Sequence, residues 1–493
     1  MRQPATQAVL AAGLMLTPFA AHAQDDQVPE PPSGSTFDLS AAIAEGPPMT
    51  ADRAASIAVE RAPAAEEAEA LVRAADATIA QARARILPRL ELSGRAARID
   101  GFPDGSIPIT TAPDALEAAR RLAEMVEDPA ARALWQAQIA TQGQDVRIAI
   151  PRNQFALSAR LTWPVSDVLL AVLPTLDAAE AQSRAQELER DAALRRVALS
   201  AREAFYMLAR ARGSLAVAHE AERQAIAQRE QIRAGVRAGF LTEADGLSAD
   251  SRVAQAQQAV ANAEAAVVVA DAALRVLLGD GSDGGTYGIA EDVVGAAAEQ
   301  PGDRAALTQR ALDERPELAG LQEALDAQRA SARASDAAAY PHLGVYAGAD
   351  YALPNRYVVP PRERFDGSWE VGVTLTWSPN DGLQTLHRGD ELRARYEATE
   401  AQLAQVADAV RLEVRQAHAE AVAATRSLEA AEASASAAQA AYDSRLAQLR
   451  AGRTTTADLF AAEGQLNQAR LAVLDAAVQL RLAETRLAYA IGR

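Results

Sequence analysis

The period of the apolar and polar positions changes several times along the chain. In residues 155–163 and 369–377 the apolar side chains fall on every second position, and shorter runs of the same kind follow Pro88 and Pro341. Strict alternation over such a length predicts strands that bury one face only. We therefore expect two pairs of strands. The apolar positions of the two longer strands are Phe155, Leu157, Ala159, Leu161 and Trp163, and Trp369, Val371, Val373, Leu375 and Trp377.

Long helical segments follow each pair of strands. Residues 178–236 contain no proline and could form one helix of roughly 90 Å at 1.5 Å per residue. A seven-residue repeat of apolar side chains predicts a coiled-coil seam, and the many alanines within it predict helices that approach one another closely. The repeat includes Leu194, Ala201, Leu208 and Leu215 in the first half of the chain, and Leu403, Val410, Ala417 and Ala424 in the second.

A helix end followed by a helix start occurs twice, with an offset of 213 residues. The first copy runs from Arg237 to Asp245 and the second from Arg450 to Asp458. Each copy has an arginine at the negative end of a helix, a glycine suited to the left-handed terminating residue, and the Thr-x-x-Asp spacing of a capping box. We predict a tight turn between antiparallel helices in each half. The candidate residues of the two turns are Arg237, Gly239, Thr242, Asp245, Arg450, Gly452, Arg453, Thr455 and Asp458.

These repeats divide the chain into two copies of one unit. A positively charged start, an apolar run and the small-x-small sequence Ala21-His22-Ala23 predict a cleaved signal peptide. The predicted boundaries are a signal at 1–23, a flexible leader at 24–49, a first repeat at 50–279, a flexible linker at 280–300 and a second repeat at 301–493. The first repeat has strands at about 89–99 and 155–165 around an insertion at 100–154, and the second has strands at about 342–352 and 368–378.

The composition of the chain argues against several kinds of partner and site. The formal net charge of −17 argues against nucleic acid as a partner. The chain has no cysteine, which excludes disulfides, thiolate metal sites and a lipid-anchored N-terminal cysteine. The histidines after the signal are scattered without metal-ligand spacing, so we expect no metal, no cofactor and no enzyme activity.

The apolar faces of the strands could meet either a soluble core or lipid. Lipid is favoured because the chain has an export signal and few other apolar stretches to build a core. Trp163, Trp369 and Trp377 bound their strands, as in an interfacial aromatic girdle. Four strands are too few for a membrane-spanning barrel, and an open sheet edge cannot lie in lipid. Three copies of the chain would supply twelve strands.

Several short motifs, present in order and in duplicate, resemble those of the TolC-like outer-membrane efflux proteins. They include Leu161-Thr-Trp-Pro-Val-Ser-Asp167, Arg315-Pro-Glu-Leu318, Leu375-Thr-Trp-Ser-Pro-Asn-Asp-Gly382 and the two Ala-Gly-x-x-Thr-x-Ala-Asp turns. The resemblance covers nearly all of the mature chain. It implies a mainly α fold with a transmembrane β-barrel, in which a homotrimer builds a twelve-stranded barrel continuous with a coiled-coil periplasmic tunnel.

The resemblance also implies a function and partners. The chain would be the outer-membrane component of a tripartite efflux or type I secretion system, beside a periplasmic adaptor and an inner-membrane transporter. The two turns would form the periplasmic aperture and the adaptor docking site, where Asp245 and Asp458 either cap helices, line the aperture, or do both. The alternative is a secreted soluble coiled-coil adhesin or adaptor, which leaves the two pairs of alternating strands unexplained.

The insertion departs from this family pattern because it is much longer than the usual loop between these strands. Residues 113–141 have helical apolar spacing through Leu116, Ala119, Leu122 and Val126. We interpret the insertion as an extracellular cap, with a disordered loop as the alternative, since so long a loop is uncommon in a compact fold.

Overall fold

The computed structural model describes residues 43–101, 106–109, 112–142, 146–149, 151–281, 286–295, 301–359 and 361–493. Helices dominate these residues, as the sequence predicts. The helices are α1 (Ala51–Arg61), α2 (Pro63–Ala84), α3 (Pro113–Glu124), α4 (Pro129–Gln142), α5 (Val165–Asp167), α6 (Leu173–Arg237), α7 (Glu243–Leu277), α8 (Arg304–Glu314), α9 (Pro316–Asp336), α10 (Pro379–Arg450) and α11 (Thr456–Ala490). The strands are β1 (Pro48–Met49), β2 (Arg89–Arg98), β3 (Ser106–Ile109), β4 (Val146–Ala149), β5 (Asn153–Trp163), β6 (Gly288–Ile289), β7 (His342–Leu353) and β8 (Asp366–Thr376).

Two long helical hairpins form most of the molecule. Helix α6 packs along α7, α10 packs along α11, and the two hairpins meet where α6 contacts α11. The predicted seam is present, because its heptad positions Ala201, Leu208, Val410 and Ala417 are all buried. Small residues allow the hairpins to approach closely: a Cβ atom added at Gly213 on α6 would lie only 2.5 Å from a methyl carbon of Leu474 on α11.

A single π-helical turn, Val168–Val172, precedes α6, and the amide of Leu173 donates to the carbonyl of Val168. The second half has no equivalent turn among its described residues, where α10 is α-helical from Pro379 to Arg450. The two halves also differ in length here, since Arg237 lies 74 positions after Trp163 whereas Arg450 lies 73 after Trp377. A π-turn holds more residues than an α-turn, so it accommodates the additional residue of the first half.

The four long strands form one antiparallel sheet in the order β2-β5-β7-β8. The pairing of β5 with β7 joins the two halves of the chain, with Phe155 opposite Leu353 and Trp163 opposite Val345. The edges of this sheet are β2 and β8, so one chain forms an open sheet and not a closed barrel. The mainly helical architecture is therefore confirmed, and closure of a barrel stays a prediction.

The expected leader and linker are packed where the structure describes them, which differs from the expectation that both are flexible. Strand β1, at the end of the leader, pairs in parallel with β6 of the linker. Ile43 and Ile289 are almost fully buried in the main core, and a guanidinium N–H of Arg212 on α6 donates to the carbonyl of Ile43 at 2.9 Å. The glycine-rich and proline-rich composition that indicated flexibility gives no information on these long-range contacts.

The described part of the insertion is folded, in contrast to the disordered-loop alternative. The predicted helical stretch is two helices, α3 and α4, separated at residues 125–128 before Pro129. Strands β3 and β4, which the sequence did not reveal, pair with one another in an antiparallel ladder. The β2–β5 pair itself extends one step further into the insertion, through a hydrogen bond from the amide of Ile99 to the carbonyl of Arg152.

The close contact at Gly213 generates a prediction. Gly213→Ala should destabilise the protein by about 1–3 kcal/mol, because the added methyl group overpacks against Leu474. The matched control is Gly389→Ala on α10, where an added Cβ meets nothing within 4 Å and should stabilise by about 0.5–1 kcal/mol through helix propensity. Thermal unfolding followed by circular dichroism measures both changes. Equal effects at the two glycines would contradict the close packing of α6 against α11.

Candidate functional site

The two hairpin ends share one backbone geometry. Gly239 and Gly452 have φ angles of 78° and 66°, the left-handed region in which glycine is favoured. At each end two backbone amides donate to carbonyls of the last helical turn: Gly239 to Val236 and Phe240 to Gly235 in the first copy, and Gly452 to Leu449 and Arg453 to Gln448 in the second. This pattern is the Schellman motif, and it ends α6 and α10 at equivalent positions.

Both predicted capping boxes are present. The hydroxyl of Thr242 accepts a hydrogen bond from the amide of Asp245, and the Asp245 carboxylate accepts one from the amide of Thr242 at 3.0 Å. Thr455 and Asp458 make the same reciprocal bonds at the start of α11. The two pairs therefore satisfy donors that the helix start would otherwise leave unbonded.

The two aspartates differ in what else they bind. The second carboxylate oxygen of Asp245 accepts a hydrogen bond from the hydroxyl of Thr456, the first residue of α11, at 2.5 Å. Asp245 therefore connects the ends of the two hairpins. Asp458 accepts its additional bond from the neighbouring Thr454, at 3.0 Å. The bond across the hairpins was not predicted, because no local motif reports which residues of two separate turns meet.

Hydrogen bonding keeps both carboxylates charged. The Thr242 hydroxyl, followed by that of Thr456, lowers the pKa of Asp245 below its ordinary value. The Thr455 side chain and amide lower the pKa of Asp458 in the same way. Asp458 is exposed and Asp245 is half-buried. Both aspartates are therefore negatively charged at neutral pH.

The basic residues at the hairpin ends fall into two groups. Arg237, Arg450 and Arg453 are exposed, and no ion pair joins them to other described residues of the same chain. Arg233, which the motif analysis missed, binds Glu243 at 2.7 Å and also contacts Asp250, so it fixes the start of α7 to the end of α6. In the sequence these acidic partners lie ten and seventeen residues after Arg233, on the other side of a turn, and such a spacing matches no local motif.

One face of the four-stranded sheet is continuously apolar and exposed in the single chain. The register brings Leu90 opposite Leu161, and Val345 opposite both Trp163 and Val373. This face extends over all four strands. A soluble monomer normally exposes much smaller continuous apolar patches. The large exposed side chains of this face are Leu90, Leu92, Phe155, Leu157, Leu161, Trp163, Leu343, Val345, Tyr351, Trp369, Val371, Val373 and Leu375.

The tryptophans near the ends of β5 and β8 are held in equivalent ways. The indole N–H of Trp163 donates to the carbonyl of Ile86 at 3.1 Å, and that of Trp377 donates to the carbonyl of Ala339 at 3.4 Å. Each acceptor lies at the helical end that precedes the corresponding strand pair. Trp369 lies at the opposite end of β8 and is 80% exposed. Tryptophan with its N–H bonded and its ring exposed is typical of a membrane interface.

The opposite face of the sheet is polar. The hydroxyl of Ser158 donates to the Asp350 carboxylate at 2.6 Å. A guanidinium nitrogen of Arg160 on β5 lies 3.6 Å from a carboxylate oxygen of Glu370 on β8, across the intervening strand β7. At one end of β7, His342 Nδ1 lies 2.6 Å from a carboxylate oxygen of Asp167. Alternation predicted which residues share this face, but not which of them bond across the strands.

No metal-binding group of three or more His, Cys, Asp or Glu side chains occurs in the described residues. Within the same residues, no helix has both the length and the apolar character needed to cross a membrane. In the described parts of the chain, the candidate functional regions are the hairpin ends and the sheet with one apolar and one polar face.

Comparison with known proteins assigns the chain to a family. A model described as "Outer membrane efflux protein" matches residues 129–280 and 307–493. The match covers more than half of the chain, and the protein belongs to the outer membrane efflux protein family, as the motifs in the sequence indicated. The family match and the structural neighbours are channel proteins and not enzymes. No curated protein matches the chain.

Solved structures have the same fold. That of CusC is 17% identical, with a TM-score of 0.71 over 90% of this chain and 92% of that chain. The outer membrane protein VceC of Vibrio cholerae is 16% identical, with a TM-score of 0.67 over 90% of this chain and 96% of that chain. The CmeC outer membrane channel of Campylobacter jejuni is 14% identical, with a TM-score of 0.69 over 90% of this chain and 85% of that chain. At these identities the similarity concerns the fold.

The lowered pKa of Asp458 predicts a pH-dependent contribution to stability. A carboxyl group whose pKa is lower in the folded than in the unfolded chain stabilises the fold above its unfolded pKa, and this contribution is lost as the pH falls through the folded pKa. Asp458→Asn should therefore lower the unfolding temperature at pH 7, and the difference from the parent protein should disappear in acid.

Thermal unfolding at a series of pH values measures this effect. Asp443→Asn is the matched control, because Asp443 lies in the same hairpin and accepts its hydrogen bond from the Gln439 side chain, outside any capping box. A difference for Asp458→Asn that stayed constant into acid would contradict the assignment of the effect to the charged carboxylate.

Proposed function

We propose that three copies of this chain form an outer-membrane channel that exports substrates from the periplasm, or directly from an inner-membrane pump, to the exterior. The observation that carries this proposal is the sheet, which has one continuous apolar face, one polar face and two open edges. An aqueous channel bounded by lipid requires these two faces. The alternative, a secreted soluble adhesin or adaptor, would expose the whole apolar face to water.

Closure of the sheet requires further copies. An unpaired strand edge cannot lie in lipid, because its backbone groups would lack hydrogen-bond partners. In the proposed homotrimer the edge strand β2 of one copy pairs with β8 of the next, which gives twelve strands. The apolar face then contacts outer-membrane lipid, with Trp163, Trp369 and Trp377 at the interfaces, and the face of Arg160 and Glu370 lines the lumen.

The helical hairpins would continue the channel as a tunnel across the periplasm. Helix α6 has 65 residues, which corresponds to roughly 100 Å at 1.5 Å per residue. In this arrangement residues 50–279 and 301–493 are the two structural repeats of each copy. A cleaved signal at residues 1–23 would export the chain, and the absence of cysteine means that no lipid is attached through that residue.

The hairpin ends form the periplasmic aperture in this proposal. Gly239, Thr242, Gly452 and Thr455 shape the two turns. Asp245 and Asp458 each occur three times around the axis, and a ring of carboxylates favours cations. The exposed Arg237, Arg450 and Arg453 remain available for a periplasmic adaptor that connects the channel to an inner-membrane transporter, in a tripartite efflux or type I secretion system.

Electrophoresis of the outer-membrane fraction tests the assembly. We expect the unheated protein to migrate as a trimer and the heated protein as a single chain. Recovery of the protein in a soluble extracellular or periplasmic fraction, with identical migration before and after heating, would instead support the adhesin or adaptor.

The proposed lipid face generates a paired prediction. Val373→Arg should destabilise the assembled trimer by ~2–4 kcal/mol if it lies near the bilayer midplane, because it places a charge in hydrocarbon. Thr374→Arg changes the adjacent residue, which points to the polar face, and should be much milder. The yield of heat-modifiable trimer and its dissociation temperature measure both effects. If the trimer tolerates both changes equally, the apolar face does not meet lipid.

The proposed aperture generates a prediction about ion selectivity. In planar bilayers the isolated trimer should show a low conductance that is selective for cations. This selectivity should weaken as salt screens the carboxylates, over ~8 Å at physiological ionic strength. Asp245→Asn and Asp458→Asn, made separately, should show which carboxylate contributes most. If both variants form trimers and neither changes selectivity, the two aspartates act as helix caps alone.

A further inference from the structure

The helices of the insertion form a small preorganised lobe. Ala123 of α3 and Ile139 of α4 are buried, and the two helices pack on one another. The guanidinium of Arg132 donates two hydrogen bonds to the carbonyl of Val126, at 2.8 and 2.6 Å, and the Asp128 carboxylate accepts one from the amide of Ala130. The connection between the helices is therefore fixed by its own side chains.

A second apolar surface of the lobe is exposed, and we call it the lobe patch. It consists of Leu122 on α3, Met125 directly after the end of α3, and Leu134 and Trp135 on α4, with exposed fractions of 62%, 78%, 72% and 53%. Helix α4 carries a single charged residue, Arg132. Among the described elements, α3 and α4 pack extensively only on each other.

The lobe patch needs a partner for physical reasons. Helices of 12 and 14 residues are too short to be stable alone in water, and a two-helix unit with two buried side chains has almost no core. An exposed apolar cluster in such a unit indicates an interaction surface. Lipid is an unsuitable partner, because α3 carries five charged side chains, among them Glu117, Arg120 and Arg121.

Topology indicates which partner covers the patch. The lobe is attached at both ends to the sheet, between the edge strand β2 and its neighbour β5. In the proposed trimer β2 is the strand that the next copy contacts, so three lobes emerge around one axis from the same end of the barrel. Tethering of this kind brings identical surfaces together at millimolar effective concentration.

We propose that the three lobes pack on one another through the lobe patch and form a cap across the outer mouth of the channel. This inference rests on the proposed trimer. The partner of each lobe patch is the lobe of a second copy of this chain. The cap is a barrier at the end of the channel opposite to the carboxylates of the hairpin ends.

Cysteine crosslinking tests the contact, since the chain has no cysteine of its own. Leu134→Cys places a thiol in the lobe patch, and Gln136→Cys places an exposed thiol on the other side of the same helix. Treatment of outer-membrane fractions with a short bismaleimide should give ~10-fold more two-chain product for Leu134→Cys, because tethered copies react at high effective concentration. Equal crosslinking of the two variants, or crosslinking of Leu134→Cys to a different protein, would overturn the proposal.

A second pair of variants tests the barrier. Leu134→Glu combined with Trp135→Glu puts three pairs of like charges at the contact. In a Ser158→Cys background, which places a thiol on the polar face of β5, it should increase several-fold the rate at which a bulky, membrane-impermeant maleimide added to intact cells labels that thiol, while heat-modifiable trimers persist. The control Gln136→Glu should leave the labelling rate unchanged. A trimer with an unchanged labelling rate in the double variant would overturn the cap but not the channel, whereas absence of any trimer in the parent protein would overturn the proposed function itself.

Discussion

The pairing of β5 with β7 is the interaction on which the architecture depends. It joins strands from the two halves of the chain, so a single sheet replaces two separate strand pairs, which alone would be marginal in water. It brings the apolar positions of both halves to one face and leaves the two open edges on β2 and β8. Because α6 follows β5 and α9 precedes β7, the same pairing also brings the helices of the two halves together.

Much of this architecture could be predicted because its signals are local. Alternation at Val371, Val373 and Leu375 reports a two-faced strand wherever that strand lies in the molecule. The capping boxes at Thr242 and Thr455 are likewise complete within four residues. What the sequence could not supply are contacts between distant segments, such as the pairing of β1 with β6, or the bonds from the tryptophan indoles to backbone carbonyls. Flexibility was predicted for the leader and linker from composition, which contains no information on these partners.

At the hairpin ends, too, the sequence predicts the backbone but not which side chains bond to one another. Equivalent positions in the two turns, 243 and 456, hold glutamate in the first copy and threonine in the second. The threonine donates to Asp245 across the hairpins, whereas the glutamate binds Arg233 within its own hairpin. The two ends therefore share their backbone while their side chains have different tasks. A repeat in the sequence predicts the shared backbone, and the structure is needed to see the difference.

The π-helical turn at Val168–Val172 has a consequence for how such a duplicated chain can evolve. A single inserted residue in a long coiled coil would rotate every later side chain by about a hundred degrees and move the seam out of phase. A local π-turn takes up the additional residue within one turn, so the later side chains are not rotated. Ala201 and Leu208 therefore keep their buried positions. The two copies could therefore drift apart in length without losing the partnership between their helices. The turn lies beside the sheet and before the seam, where one additional residue leaves the later heptads in register.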